Sequence, residues 1–332
     1  MNKYFFFIAF FFSSLLGFSQ QSPFNKLSVQ IQDSSNFSFV VSGHFYGSSS
    51  NRSGFPASTL LANLDTLNSS NAAFIVCLGD LFMDVKNDIP NYKKSLFSKL
   101  SKPLFNVVGN HDLSANVYQE NFGKTHFSFS TGENTFVFLD TEKDNGDIKN
   151  EQFDLLKNAV ESHAKNVFIF SHRTVWAEEN KTLSELFKDN TRSRFGNNFQ
   201  KEILPLLETS RAHVYWFSGS MGGGAKASFF YHPKSEKITY ITTAIRDLPR
   251  DAVLNVNIQN GDVFFNTQSL TENEVLVLKE YNLDYWKTTK IQEINYRLFP
   301  IYIKQLLFHK FFWIGLLIGL LIMFLFVRFK KS

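Results

Sequence analysis

Cysteine is nearly absent: Cys77 is the only one in 332 residues. No intrachain disulfide can form, so stability rests on a packed core, which a chain of this length can supply. Cys77 sits in the apolar run 72–78 and reads as a small buried hydrophobe. A surplus of either charge is also missing from the body of the chain. Of 34 Lys and Arg, Lys3 lies in one terminal segment and Arg328, Lys330 and Lys331 in the other, which leaves 30 against 30 Asp and Glu. A neutral body carries no electrostatic footprint for DNA or RNA, so a nucleic-acid binder is disfavoured. Internal repeats are lacking. So is a phosphate-binding Gly-Lys loop, because Ala225 separates Gly224 from Lys226 and no Ser or Thr follows the lysine directly.

What is present includes two apolar ends. The first has Lys3, an apolar run over Tyr4–Phe12 and small residues up to Gln20, the three-part pattern of a signal peptide spanning 1–20 and cleaved near Ser19 or Gln20. The second, Phe311–Val327, has about 17 residues without a charge and reaches about 25 Å as a helix, the short side of a membrane span. The basic tail 328–332 belongs on the cytoplasmic side. The expectation is a single-pass membrane protein whose main domain is extracytoplasmic (periplasmic in a bacterium) with a cytoplasmic C-terminus. Residues 271–310 read as a juxtamembrane stalk. Its stretch Tyr281–Leu307, rich in Tyr, Trp and Leu, suits the membrane interface or a membrane protein partner.

Between the ends, apolar runs of strand length alternate with helical spacing. Strands are expected at 36–42, 73–78, 104–108, 126–130, 135–139, 167–170 and 213–217, with helices at 57–67, 92–100, 150–164 and 199–208. Consecutive strands follow at 238–242, 253–258 and 262–266. This order predicts an α/β sandwich of two mixed sheets flanked by helices, over residues 36–270.

Three segments that each leave a strand-like run carry the chemistry. Gly79-Asp80 offers a carboxylate, Gly109-Asn110-His111-Asp112 a neutral oxygen and an imidazole, and His172 a further nitrogen. Oxygen donors of this kind suit the divalent ions that handle phosphate. The metal ligands expected are Asp80, Asn110 and His172. His111 is expected as proton donor, oriented by Asp112. Asp84 reads as a helix cap or outer support. His213 and His232 could in principle supply a replacement ligand, though nothing in their spacing requires it, and Gly219–Gly224 with Lys226 is a candidate anion nest.

With these motifs in this order, residues 36–270 resemble the calcineurin-like metallophosphoesterases. The middle motifs of that family stand here as Gly79-Asp80-Leu81-Phe82-Met83-Asp84, Gly109-Asn110-His111-Asp112 and His172, and Leu139-Asp140-Thr141 and Gln152 look similar as well. The resemblance implies hydrolysis of a phosphate mono- or diester with divalent metal (Mn, Fe, Zn or similar). It also implies two departures. Ser42-Gly43-His44 lacks the first carboxylate, and Gly219-Ser220-Met221-Gly222 lacks both final histidines. His44 and Asp80 then remain for one ion, and Asp80, Asn110 and His172 for the other. Either a reduced site with one metal survives, or the fold serves as an inactive binding or assembly module at the membrane.

Overall fold

The computed structural model describes residues 20–190, 195–221, 225–289 and 299–329. The expected signal peptide, most of the final basic tail and part of the Gly219–Gly224 loop lie outside those residues.

Two mixed sheets form the body. One combines β1 (Phe37–Ser42), β2 (Ala72–Cys77), β3 (Leu104–Asn106), β10 (Ala252–Gln259) and β11 (Asp262–Ser269) in the order β11-β10-β1-β2-β3. The other combines β4 (Phe127–Thr131), β5 (Asn134–Phe138), β6 (Asn166–Ser171), β7 (His213–Ser218), β8 (Phe229–Pro233) and β9 (Ile238–Thr243) in the order β4-β5-β6-β7-β9-β8. Within them β1, β2 and β3 run parallel, as do β5, β6, β7 and β9. Parallel central strands are covered on both faces and therefore need continuous apolar sequence, which Asn166–Ser171 supplies with every residue buried. The edge strand β11 alternates exposure instead.

The sheets face each other across a slab of phenylalanine. Phe39, Phe74, Phe105, Phe136, Phe138, Phe168, Phe170 and Phe217 all point into it and are fully buried. Phe39 stacks on Phe74 at 5.0 Å between ring centres, and Phe136 on Phe168 at 5.1 Å. Such pairs add about 0.5–1.5 kcal/mol each beyond area burial. The abundance of Phe, which the sequence places partly in the apolar ends, thus has its structural use between the sheets.

Because strand side chains alternate, Val40, Ile75, Cys77 and Leu104 face the other way. They pack under α1 (Ser58–Ala62), α2 (Leu64–Ser69), α3 (Val85–Tyr92) and α4 (Val117–Phe122). Cys77 is buried and free. Val137, Val167, Ile169 and Trp216 pack under α5 (Asn150–Val160), α6 (Lys181–Asn190), α7 (Leu204–Glu208) and α8 (Leu283–Thr288). Asp84 caps α3, its carboxylate accepting from the Lys86 amide at 3.1 Å.

One expectation needs correcting. Residues 278–288 do not leave the body as a stalk. Trp286 is fully buried and donates its indole N–H to the Phe229 carbonyl at 2.8 Å, with Leu278 and Tyr281 also buried. Their aromatic content serves the core, not an interface with lipid. Beyond them lie α9 (Phe299–Phe308) and α10 (Lys310–Phe329). Most of the apolar side chains described on α10 are exposed, with Phe312 half-buried. Among the described residues no helix is long and apolar enough to cross a membrane.

Candidate metal centre

Parallel strands bring their C-terminal ends to one edge of each sheet, and polar groups leaving several strands meet there. His44 follows β1, Asp80 follows β2, His111 follows β3, His172 follows β6 and Arg246 follows β9. The donor atoms of His44, Asp80 and His172 lie within 4.8 Å of one another, and all three residues are buried.

Hydrogen-bond partners fix which ring nitrogen carries the proton. His172 Nδ1 lies 2.9 Å from the Leu78 carbonyl, which can only accept, so Nδ1 is the protonated nitrogen. Its Nε2 lone pair then faces Asp80 Oδ1 at 3.6 Å. Two acceptors confronting each other in a buried site call for a cation between them, and ligand bonds of about 2.0–2.2 Å suit that spacing. The His172–Asp80 side fits a divalent ion. A backbone carbonyl orienting the ring from behind is the usual support of a metal-binding histidine.

The His44 side differs. A guanidinium can only donate, and Arg246 Nη2 lies 3.0 Å from His44 Nε2. That nitrogen is therefore the acceptor, leaving Nδ1–H to face Asp80 Oδ2 at 3.2 Å. Burial, and next the Arg246 charge, hold the His44 imidazole well below its usual pKa, so it is neutral. Expected as a ligand, His44 does lie in the buried donor cluster with Asp80 and His172, where Arg246 engages its Nε2.

The floor beneath these groups is tight. A Cβ on Gly109 would come within 2.3 Å of Asp80 Oδ1, and one on Gly79 (φ +85°) within 2.5 Å of His172 Nδ1. Glycine at both positions lets the carboxylate and the imidazole sit where they do. His44 and Asp80 themselves adopt φ of 54°, a left-handed backbone that costs a non-glycine residue on the order of 1–3 kcal/mol.

Asp112 is corrected from its expected role. Fully buried, it accepts from the Phe82 amide at 2.9 Å, the Gly109 amide at 2.9 Å and the Asn106 side chain at 3.2 Å. Those bonds tie the loop after β2 to the loop after β3, and none reaches His111. Burial, then Asp80, raise its pKa to about 6. His111 is held by the Met83 carbonyl, 3.0 Å from its Nδ1, and its amide donates to Asp80 Oδ1 at 3.2 Å. Asn110 is exposed at the rim, and among the described residues no hydrogen bond fixes its side chain. His213 is exposed on β7 and His232 is half-buried on β8, and neither joins the cluster.

Three participants escaped the sequence reading. Arg246 is one, buried, with Nη1 reaching Tyr46 Oη at 3.3 Å and the Gly47 carbonyl at 3.4 Å, and Nη2 donating to the Met221 carbonyl. Tyr46 is the second, its hydroxyl kept neutral as burial and Asp80 push its pKa up to about 12. Asn106, the third, accepts from the Gly79 amide at 3.2 Å and so fixes the turn before Asp80. The one available signal was position: Arg246 follows an expected strand, as His172 does.

The sequence profile of the calcineurin-like phosphoesterases matches residues 53–219. No curated protein sequence matches the chain. Among solved structures the fold is similar to GAP50, the anchor in the inner membrane complex of Plasmodium. The TM-score is 0.52 at 13% identity, over 78% of this chain and 90% of that one. It is also similar to the purple acid phosphatase PPD1 of yellow lupin (Lupinus luteus) seeds. There the TM-score is 0.47 at 10% identity, over 78% of this chain and 54% of that one. At such identities the likeness is one of fold.

Proposed function

The chain belongs to the calcineurin-like phosphoesterase family, and from that premise we propose that it hydrolyses a phosphate mono- or diester with a single divalent ion. The observation that carries this is the buried pair of acceptors, Asp80 Oδ1 and His172 Nε2, 3.6 Å apart at the strand ends. Asp80 and His172 would hold the ion, with Asn110 exposed on the rim. When bound, such an ion supplies positive charge to phosphoryl oxygens and acidifies water.

His111 acts on the leaving group. Its Nδ1–H is engaged by Met83, so Nε2 is the nitrogen that gives and takes a proton. Protonated there, it delivers that proton to the leaving oxygen as the P–O bond breaks and water adds to phosphorus. The Asp112 brace keeps the two loops in register while this happens. The test is hydrolysis of an aryl phosphate monoester and diester by the full-length protein with Mn²⁺. His111→Ala should lower kcat by about 10²- to 10⁴-fold with Mn²⁺ binding intact. Equal rates in the variant would remove His111 from the mechanism, and no rate with the native chain would remove the hydrolase.

The second reading is an inactive module that binds a partner at a membrane. Arg246 on His44 Nε2 favours it, since that contact occupies a nitrogen the family would give to metal. GAP50 is described as an anchor; here that role would rest on α10, where apolar side chains stand exposed, with Arg328, Lys330 and Lys331 near its end. Under either reading we place the domain outside the cytoplasm, on the sequence cues for a leader and a basic tail. Protease protection in sealed cells or spheroplasts checks that topology.

A further inference from the structure

Arg246 is 5% exposed, and its partners are neutral: His44 Nε2, Tyr46 Oη and the carbonyls of Gly47 and Met221. Among the described residues no ion pair includes it. A buried guanidinium without a carboxylate is costly unless the site gives the charge a use. Its placement is not loose, for its amide is anchored to Asp251 Oδ1 at 2.9 Å. The same residue also lines a cavity of ≈ 460 Å³, together with Arg52, Ser48, Ser50, Ser53, His309 and the carboxylate of Asp247. The cluster of acceptors therefore meets a polar, hydroxyl-bearing cavity at this one side chain.

A two-metal clamp stabilises the oxygens of a phosphoryl group with two positive centres. Here His44 faces a guanidinium, and Asp80 and His172 face each other across the remaining gap. We propose that Arg246 takes the place of one divalent ion: the site binds a single metal at Asp80 and His172, and a phosphoryl oxygen entering from the cavity is bound by the guanidinium. Arginine suits this because its guanidinium stays charged, and its two long Nη1 bonds, to Tyr46 Oη at 3.3 Å and the Gly47 carbonyl at 3.4 Å, are the ones a phosphoryl oxygen would displace. His44 then serves to hold Nη2. This inference rests on the phosphate-ester reading given above, and its test separates the two.

The test uses the full-length chain, equilibrium dialysis against Mn²⁺ and low-temperature electron paramagnetic resonance. One Mn²⁺ per chain with an uncoupled six-line signal is expected. Calorimetry with inorganic phosphate on the Mn²⁺-loaded protein should show Arg246→Gln binding phosphate at least tenfold more weakly with one Mn²⁺ retained. Arg246→Lys, which keeps the charge but not the fork, should fall between. Two spin-coupled ions in the native chain would overturn the inference and leave the hydrolase standing, and this count needs no variant to fold. Unchanged phosphate affinity in Arg246→Gln would do the same. A native chain that takes up no Mn²⁺ would instead overturn the metal-dependent function itself.

Discussion

The two sides of the centre are built from the same fold by different means. On the side of β2, β3 and β6, Asp80, His111 and His172 sit in a cage that glycine, Asn106 and Asp112 leave no slack in. On the side of β1, β7 and β9, a serine and a glycine-rich turn replace expected ligands, and an arginine from beyond β9 fills the vacated charge. The difference teaches that ligand loss on one side need not unsettle the other. The side-chain bonds bracing Asp80 and His172 run to the β3 loop and to Leu78, and positions 42 and 220 join them only through backbone, the Leu78 amide donating to the Ser42 carbonyl and the Ser220 amide to the His172 carbonyl, both at 2.8 Å, which any residue there can supply.

The strongest way to break this comparison is to attack the brace. Asp112→Ala leaves the amides of Phe82 and Gly109 and the Asn106 side chain without an acceptor in a buried site. It should cost about 3 kcal/mol or more in urea unfolding, since each stranded donor costs about 1–3 kcal/mol. A loss under 1 kcal/mol would show that the two loops hold together without it.

Next comes the asymmetry between histidines. His172→Ala should weaken Mn²⁺ binding by about 10- to 100-fold, as loss of a ligand or its support does. His44→Gln should leave that affinity within about threefold, because its Nε2 faces Arg246. Equal losses in the two variants would mean that both sides still hold metal.

The smallest expected effect concerns pH on the arginine side. Burial, then Asp247, raise the Asp251 pKa from the ordinary 3.8 to about 7. Between those values the native state holds a proton that the unfolded chain has released, so stability falls as pH rises through that window. The slope is on the order of 1 kcal/mol per pH unit inside that window, and Asp251→Asn should flatten the profile. An unchanged slope in that variant would assign the pH dependence elsewhere.

Much of the better-kept side was legible in the sequence. Asp80 and His172 each follow an apolar run, and the glycines beside Asp80 and Asn110 marked sharp turns that the geometry explains. The neighbouring Asp112 misled because adjacency in sequence was taken for adjacency in function. On a tight turn, successive side chains face different ways, and this one faces the floor. Arg246 was illegible for another reason. It contacts His44 across 202 residues, and Ile245-Arg246-Asp247 reads locally as any charged loop after a strand. Trp286 shows the same limit, since an aromatic near the apolar end reads as interfacial until Phe229 is seen to accept its N–H.

The positive φ at positions 44 and 80 sets backbone comfort against the donor cluster. Glycine would relax the chain at either place and in the same stroke remove an imidazole or a carboxylate from the buried group. An easier turn there can be had only by emptying the pocket of its donors.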